Sequence, residues 1–317
     1  MKHPNKSKFS TRQVMMSLSA VAYIPFHSIN MLQENLNGPE ALEQNYTAIW
    51  WEKDDSTVVF LVKNKFTDEY ALIFRGPVFK PGLSFLLNLY QDLCLGQQES
   101  LPYSRLGKAR IASGPLAAIE SLSHATYSGR TLHQVLNNVP LRTRVYMAGH
   151  GLGGSLASIY AAKIACSNSV DLDIIPYTFG APAIGNDSFA DLFNPGSVNH
   201  LFPQSSRFIN SQDIMPFACS NLQGMVTVDY GKATPSAEFN LCIEFVERLL
   251  ILSKVFYIQP PPELQLKGDS GGNDTFFQEA IHQHQPNTYL QLLGLDPVND
   301  ADFYHNERRE FILTDSL

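Results

Sequence analysis

Short apolar runs alternate with amphipathic stretches along most of the chain, and this pattern predicts strands alternating with helices. The apolar runs predict strands at residues 49–51, 57–62, 70–74, 145–148, 173–179 and 206–210. Helical spacing predicts helices at residues 11–36, 111–136 and 236–258, another after residue 151, and one from residue 275 onwards. This alternation is typical of the α/β class, with a mainly parallel central sheet and helices on both faces.

Two segments are unusually rich in apolar residues. Residues 83–90 predict a core-facing helix, with part of a lid or the wall of an acyl pocket as the alternative. Residues 239–256 are apolar over more than one helical stripe. Such a helix is either well buried or exposed to lipid, and burial is the commoner case.

Residues 144–157 have the most specific pattern of the chain. An apolar strand is followed by a glycine-rich turn and then by a helix. This is the frame of a nucleophile elbow, in which a serine lies at the tip of a strained turn. In this chain the tip residue is Gly151, so the meaning of the stretch depends on the rest of the sequence.

Composition removes several classes of function. The chain has 317 residues, 44% hydrophobic and 17% charged, which is ordinary for a soluble globular protein. Its formal net charge of -7 argues against nucleic acid as a partner, because no basic field exists to hold phosphates. Its four cysteines are scattered without metal-type spacing. We therefore predict neither a metal nor a cofactor.

The N-terminus loosely resembles a signal peptide, because basic residues precede an apolar run at residues 14–26. The run before a cleavage-like Ala-Val-Ala at 20–22 is very short and contains Ser17 and Ser19, which favours a helix of the domain. No run reaches the length of a membrane span. We expect a soluble protein, either cytoplasmic or exported without a cleaved signal.

Four motifs, in the same order, are similar to motifs of the fungal-type (class 3) lipases of the α/β-hydrolase fold. They are Phe-Arg-Gly at 74–76, Gly-His-Gly-Leu-Gly-Gly at 149–154, Thr-Phe-Gly-Ala-Pro-Ala-Ile-Gly-Asn at 178–186, and Asn-Ser-Gln-Asp-Ile-Met-Pro at 210–216. A fifth, His-Gln-Pro-Asn-Thr-Tyr-Leu at 284–290, resembles the segment that carries the catalytic histidine. The resemblance implies one domain at residues 12–293, between a loose N-terminal tail (1–11) and a C-terminal tail (294–317).

Carried over position by position, the resemblance implies that Asp213 is the catalytic acid and His284 the base. In this family a serine attacks the ester carbonyl of an acylglycerol, while histidine takes its proton and aspartate orients the histidine. The order of nucleophile, Asp and His along the chain agrees with the fold. His282 is the competing base, although its spacing to Tyr289 fits less well. The alternative for Asp213 is a turn aspartate.

The chain departs from the family at two site positions. Gly151 occupies the nucleophile position and has no side chain that could form an acyl-enzyme. Pro77 replaces the Thr or Ser of the oxyanion hole and has neither a hydroxyl nor a backbone N–H. Only the Leu152 N–H remains as a donor. Losing a nucleophile costs on the order of 10⁶ in turnover, and losing one oxyanion donor about 10²–10³.

Glycine is structurally acceptable at the elbow tip. A residue with a side chain adopts the backbone conformation there at a cost of about 1–3 kcal/mol, whereas glycine adopts it readily. The alternative is an engineered knock-out at residue 151, but a single inactivating substitution would not explain Pro77 as well, which favours a natural pseudo-enzyme. Ser155, one turn into the helix, is predicted to be a packing residue rather than a replacement nucleophile.

The same stretch also matches a dinucleotide-binding fingerprint by letter, Gly149-x-Gly151-x-x-Gly154. The fingerprint requires an acidic residue at the carboxyl end of the next strand. Asp171 and Asp173 have about the right spacing, but they lie at the start of that strand. This interpretation therefore ranks low.

Three hypotheses remain for the function, and the sequence leaves open whether the protein is an enzyme. The first is a pseudo-lipase of acylglycerol metabolism with little or no hydrolysis, which keeps an acyl groove between parts of residues 83–95 and 239–256. The second is an active esterase in which Asp213 and His284 activate water, or in which another serine acts. The third is a non-catalytic interaction scaffold. A lipid or acyl ester is the expected ligand, and no protein partner is indicated.

Overall fold

A seven-stranded sheet forms the centre of the fold. The computed structural model describes residues 7–54, 57–77, 85–101, 107–167, 170–270 and 272–301. Within these ranges the strands are β1 (Tyr46–Lys53), β2 (Val58–Asn64), β3 (Tyr70–Arg75), β4 (Gln98–Ser100), β5 (Arg110–Ala112), β6 (Thr126–Tyr127), β7 (Arg130–Thr131), β8 (Arg144–His150), β9 (Asp173–Phe179), β10 (Ser206–Asn210) and β11 (Glu263–Leu266). The predicted strands are all present.

The α-helices of the same ranges surround this sheet. They are α1 (Thr11–Val21), α2 (Ile29–Leu36), α3 (Phe85–Asp92), α4 (Ser113–His124), α5 (Leu132–Leu136), α6 (Leu152–Cys166), α7 (Asp187–Ala190), α8 (Gly224–Thr227), α9 (Ala237–Ser253), α10 (Phe276–Gln283) and α11 (Pro286–Leu292). No helix in the described ranges is both long and apolar enough to cross a bilayer.

The strand order of the central sheet is β1-β2-β3-β8-β9-β10-β11. The first three strands pair antiparallel, and the strands from β3 to β11 pair parallel. The sheet is therefore mainly parallel, as predicted, with an antiparallel extension at one edge. Because parallel strands end at one edge, the segments after β3, β8, β9 and β10 meet there.

Both faces of the sheet are covered, because strand residues alternate between two cores. In β3, Leu72 and Phe74 belong to a core that includes α4, α5 and α6. Ala71 and Ile73 belong to the opposite core, with α1, α2 and α11. Each fully buried large apolar side chain contributes about 1.5–3 kcal/mol of transfer free energy. These two cores fix the position of β8, and therefore of the elbow.

A third apolar cluster lies beyond the carboxyl edge of the sheet. It joins α3, α9 and α10 with the segment that follows β10. Leu152, Ile214 and Met215 belong to it, so it packs directly beside the elbow and beside Asp213.

Two of the predicted helices are wrong in extent. The helix predicted at 11–36 is interrupted between α1 and α2, where Pro25 disfavours a helical conformation for the residue before it. Ser28 then caps α2 by accepting a hydrogen bond from Met31 N (3.2 Å). The helix predicted at 111–136 contains the β6–β7 hairpin, whose turn residues Ser128 and Gly129 have φ of 51° and 73°.

The chain beyond α9 also differs in detail from the expectation. The short strand β11 adds to the sheet edge after the prolines 260–262. The final helix is split into α10 and α11, and Pro286 begins the second one. Leu295 and Ala301 are buried, so packing continues past residue 293.

The core-facing helix predicted at 83–90 is present as α3, in which Leu86 and Leu89 are buried. Residues 83 and 84 of that segment lie outside the described residues, as do 1–6 and 302–317 of the predicted tails.

Candidate active site

The elbow lies between β8 and α6. Gly151 precedes the first residue of α6 and has φ 56° and ψ -133°, a conformation that residues with a side chain rarely adopt. Its N–H donates to Phe179 O (2.8 Å), and its carbonyl accepts from Gly154 N (3.0 Å). The turn is therefore tied both to the end of β9 and to its own helix.

Glycines let the end of β3 approach the first turn of α6 backbone to backbone. A Cβ on Gly153 would lie 2.1 Å from Phe74 O, and one on Gly76 would lie 2.7 Å from the Leu152 Cβ. No side chain fits at such distances. This approach places the half-buried Pro77 beside the start of α6.

Asp213 lies past the carboxyl end of β10, in a turn closed by its N–H to Asn210 O (2.9 Å). The side chain is fully buried, and its Oδ1 accepts from Met215 N (2.8 Å). Its Oδ2 accepts from Tyr289 OH (2.7 Å) and lies 2.6 Å from His284 Nδ1. Buried carboxylates require such donors, because burying an unpaired charge is costly.

His284 connects Asp213 to the elbow. It caps the C-terminal end of α10, and its side chain is 14% exposed. Because Nδ1 faces the carboxylate, Nε2 is left for the other side of the ring. A Cβ placed on Gly151 would lie 3.0 Å from that Nε2. The structure thus brings together Gly151, Asp213 and His284, whereas His282 is exposed on α10.

Further side chains surround this group, and the sequence did not single them out for a role in the site. Tyr23 OH lies 3.1 Å from His150 Nδ1, and the His150 ring centroid lies 4.5 Å from that of His284. Burial, and secondarily the neighbouring His284, lower the pKa of His150 well below its usual value, so it is neutral at pH 7. Burial raises the pKa of Tyr23. His150 lies within the motif at 149–154, whereas Tyr23 lies in none of the motifs, so the sequence contains no signal for Tyr23.

Tyr289 links the acid to its supporting strand. Burial, together with the negative charge of Asp213, raises the pKa of Tyr289 well above its usual value, so the phenol stays protonated and donates. The same oxygen accepts from Asn210 N (3.0 Å). The Asn210 side chain donates to Gln283 Oε1 (2.7 Å), and Gln283 donates to Glu279 Oε1 (2.7 Å). This buried network holds the loop of Asp213 against the helix that ends at His284.

The remaining candidates have other surroundings. Ser155 is buried, and its Oγ donates to Pro182 O (2.8 Å), so it packs the elbow helix as predicted. Asp173 pairs with Arg144 at the start of β9 (3.2 Å), at the end of the strand opposite the glycine turn. In the described ranges, no group of three or more His, Cys, Asp or Glu side chains could hold a metal ion.

The arrangement contains a histidine oriented by a buried carboxylate, but it has no nucleophilic atom at the elbow tip. The Leu152 N–H lies at the N-terminal end of α6, where helix amides have no intrahelical acceptor. Pro77 cannot supply a second amide. The site can orient a histidine, but Gly151 cannot form a covalent bond to a substrate through a side chain.

Comparisons with known proteins agree with this fold and its motifs. The family model "Lipase (class 3)" matches residues 82–222. A curated lipase of Caenorhabditis elegans is 35% identical over 75 residues, which are 23% of this chain and 19% of the relative. The matched part is thus about a fifth of that relative's length.

Solved lipase structures have the same architecture. The crystal structure of M37 lipase has a TM-score of 0.75 at 19% identity, covering 92% of this chain and 96% of that one. The mono- and diacylglycerol lipase of Aspergillus oryzae has a TM-score of 0.50 at 18% identity, covering 74% and 82%. At these identities the likeness shows the fold. The chain is similar to the class 3 lipases over residues 82–222 and has the α/β-hydrolase fold.

Proposed function

We propose that this protein is a pseudo-lipase, which binds a lipid or acyl ester but does not hydrolyse it through an acyl-enzyme. One observation carries the proposal: His284 Nε2 lies 3.0 Å from the place where a Cβ of residue 151 would be, yet that residue is glycine. The base is therefore aimed at a nucleophile position that holds no oxygen atom.

The chemistry of acyl transfer explains why this loss is decisive. In the serine mechanism, histidine removes the proton of the attacking hydroxyl while two N–H groups stabilise the oxyanion. Here Asp213 can still orient His284 (2.6 Å), but no hydroxyl is available at residue 151. Pro77 removes a donor as well, so both the attack and the stabilisation of its product are impaired.

A repair series tests the proposal with p-nitrophenyl butyrate. We expect no His284-dependent turnover by the wild type and little by Gly151→Ser. Turnover by Gly151→Ser with Pro77→Thr should exceed that of the single variant by about 10²-fold, the effect of one oxyanion donor. Adding His284→Ala to the double variant is the control, and it should abolish the gain.

The second candidate function is hydrolysis by water that His284 activates directly. The intact contact between His284 and Asp213 favours it, because such a pair can act as a general base. It requires that the wild type hydrolyse p-nitrophenyl butyrate and that His284→Ala remove this activity. That result would replace the pseudo-lipase proposal.

A further inference from the structure

The strand β11 is the last strand of the central sheet, and within the described ranges no strand pairs with its outer edge. Glu263, Leu264 and Gln265 are exposed, so this edge lies at the surface. An open edge presents backbone N–H and C=O groups that can pair with a strand of another molecule. The residues of β11, together with Lys267 just after it, decide which strand fits.

The hydrogen bonds to β10 show which residues of β11 face outwards. Ser211 N donates to Leu266 O (2.9 Å), and Gly268 N donates to Ser211 Oγ (3.0 Å). In a parallel pair, alternate residues direct both of their backbone groups to the same neighbour. The even-numbered residues of this segment therefore face β10. Residues 263, 265 and 267 direct their N–H and C=O groups to the open edge.

Two copies of this segment can pair antiparallel only where outward-facing residues lie opposite each other. A two-fold axis at Gln265 meets this condition. It places Glu263 opposite Lys267 of the second copy, twice by symmetry, and Leu264 opposite Leu266 of the second copy. Opposite charges in such cross-strand pairs are favourable. An axis at Glu263 would instead place two glutamates opposite each other, which is unfavourable.

The side chains of the segment also suit this register. Leu264 is 42% exposed, whereas Leu266 on the same face packs against the core of α1 and α11. In the pair, Leu266 of the second copy would cover Leu264. On the other face, Glu263 contacts Arg207 (2.5 Å) and its side chain remains 47% exposed. Lys267 of the second copy would give this carboxylate a second cation.

Prolines limit the pairing to this segment. Residues 260–262 are all proline and directly precede β11, and proline has no backbone N–H to donate. The interface is therefore short, and small interfaces belong to weak complexes that depend on concentration. A two-fold pair also covers the β11 edge of both copies, so this contact produces a dimer and no larger assembly.

We propose that β11 is a self-association edge, through which two copies pair antiparallel about Gln265 and join their seven-stranded sheets. The charges at residues 263 and 267 complement each other across the axis, which selects a second copy of this chain as the partner. The proposal is independent of the proposed function, because Gly151, Asp213 and His284 lie outside β11.

Sedimentation equilibrium between about 10 μM and about 1 mM tests the pairing, since a weak dimer dissociates in this range. The wild type should show an equilibrium of monomer and dimer. Gln265→Pro should weaken dimerisation about tenfold, because it removes the N–H groups that meet at the axis. Pairing with β10 does not use this N–H, so proline is tolerated at the outward-facing position.

Charge variants test the register. Lys267→Glu and Glu263→Lys should each weaken the dimer, because each places like charges opposite each other. An equimolar mixture of the two should dimerise more strongly than either alone, because the mixed pair restores opposite charges at both positions. Lys232→Glu is the matched control, since Lys232 is exposed outside this segment, and it should dimerise like the wild type. Circular dichroism should show all variants folded.

A wild type that stays monomeric over the whole range would overturn the proposal. A dimer that Gln265→Pro leaves unchanged would place the interface elsewhere on the molecule. A mixture that associates no better than its two components would contradict the register. Species larger than a dimer that grow with concentration would assign the edge to open-ended pairing, which also contradicts the proposal.

Discussion

At the scale of single residues, Gly151 combines two structural demands. Its φ of 56° with ψ of -133° is unfavourable for any residue with a Cβ. The space where that Cβ would lie is bounded by His284 Nε2 at 3.0 Å. A serine at this position would therefore have both backbone strain and a close contact with the base, and glycine relieves both.

Replacing Gly151 with Ala should accordingly lower the free energy of unfolding by about 1–3 kcal/mol, as measured by urea denaturation. Gly129→Ala is the matched control, because Gly129 has φ 73° with open space around its Cβ position. Gly129→Ala should lower the free energy of unfolding by less, because the added Cβ there has an unfavourable φ but no close contact. A Gly151→Ala protein as stable as the wild type would show that the backbone conformation at residue 151 does not disfavour a side chain.

His150 makes stability depend on pH. Its pKa in the folded state lies well below the usual value of 6.5, mainly because the ring is buried. The unfolded chain therefore binds more protons than the folded one below pH 6.5, so stability is full above that pH and falls as the pH decreases. For one such group, the free energy of unfolding falls by about 1.4 kcal/mol for each pH unit below 6.5.

We expect His150→Gln to remove this contribution. Urea denaturation at pH 7.5 and pH 5 should show a smaller loss of stability on acidification for the variant than for the wild type. Carboxylates titrate in both proteins, so the difference between the two losses is the relevant quantity. Equal losses would mean that His150 is not held neutral by the fold.

At the scale of secondary-structure elements, Tyr289 ties α11 to the loop of Asp213. Its phenol donates to the carboxylate and accepts from Asn210 N. Tyr289→Phe should lower the free energy of unfolding by about 1–3 kcal/mol, because a buried acceptor and a buried donor lose their partner. Tyr177→Phe is the control, because Tyr177 is partly buried against the same core, and it should change stability less. Equal losses of stability in the two variants would show that the hydrogen bonds of the Tyr289 hydroxyl add nothing to stability.

The sequence predicts the strands of the sheet well, because each is an apolar run bounded by turn residues. It does not predict where helices break. The hairpin at 126–131 and the gap at Pro25 depend on single turn residues inside otherwise helical spacing. The edge strand β11 has the polar composition Glu-Leu-Gln-Leu, and its pairing with β10 is visible only in three dimensions.

The candidate site could be predicted from the sequence only where its residues lie in local motifs. Gly151, Asp213 and His284 are embedded in local motifs, and the structure brings them together. Tyr23 lies far away in the sequence, past the end of α1, and reaches the site only because α1 packs against β8. The Glu279–Gln283–Asn210 network depends on contacts between distant segments as well.

At the scale of the whole molecule, the fold brings the candidate site residues from distant segments to one edge of the sheet. The parallel strands bring the ends of β3, β8 and β10 to one edge, and the third apolar cluster packs beside it. The close glycine contacts, the buried Asp213 and the His284 ring oriented by it all lie around Gly151.

Labelling with a fluorophosphonate tests this account most directly. The reagent phosphonylates an activated serine, and intact-mass spectrometry detects the adduct. We expect no adduct on the native wild type and one adduct on Gly151→Ser with Pro77→Thr. An adduct on any serine of the native wild type that is lost when the protein is unfolded in urea would contradict it.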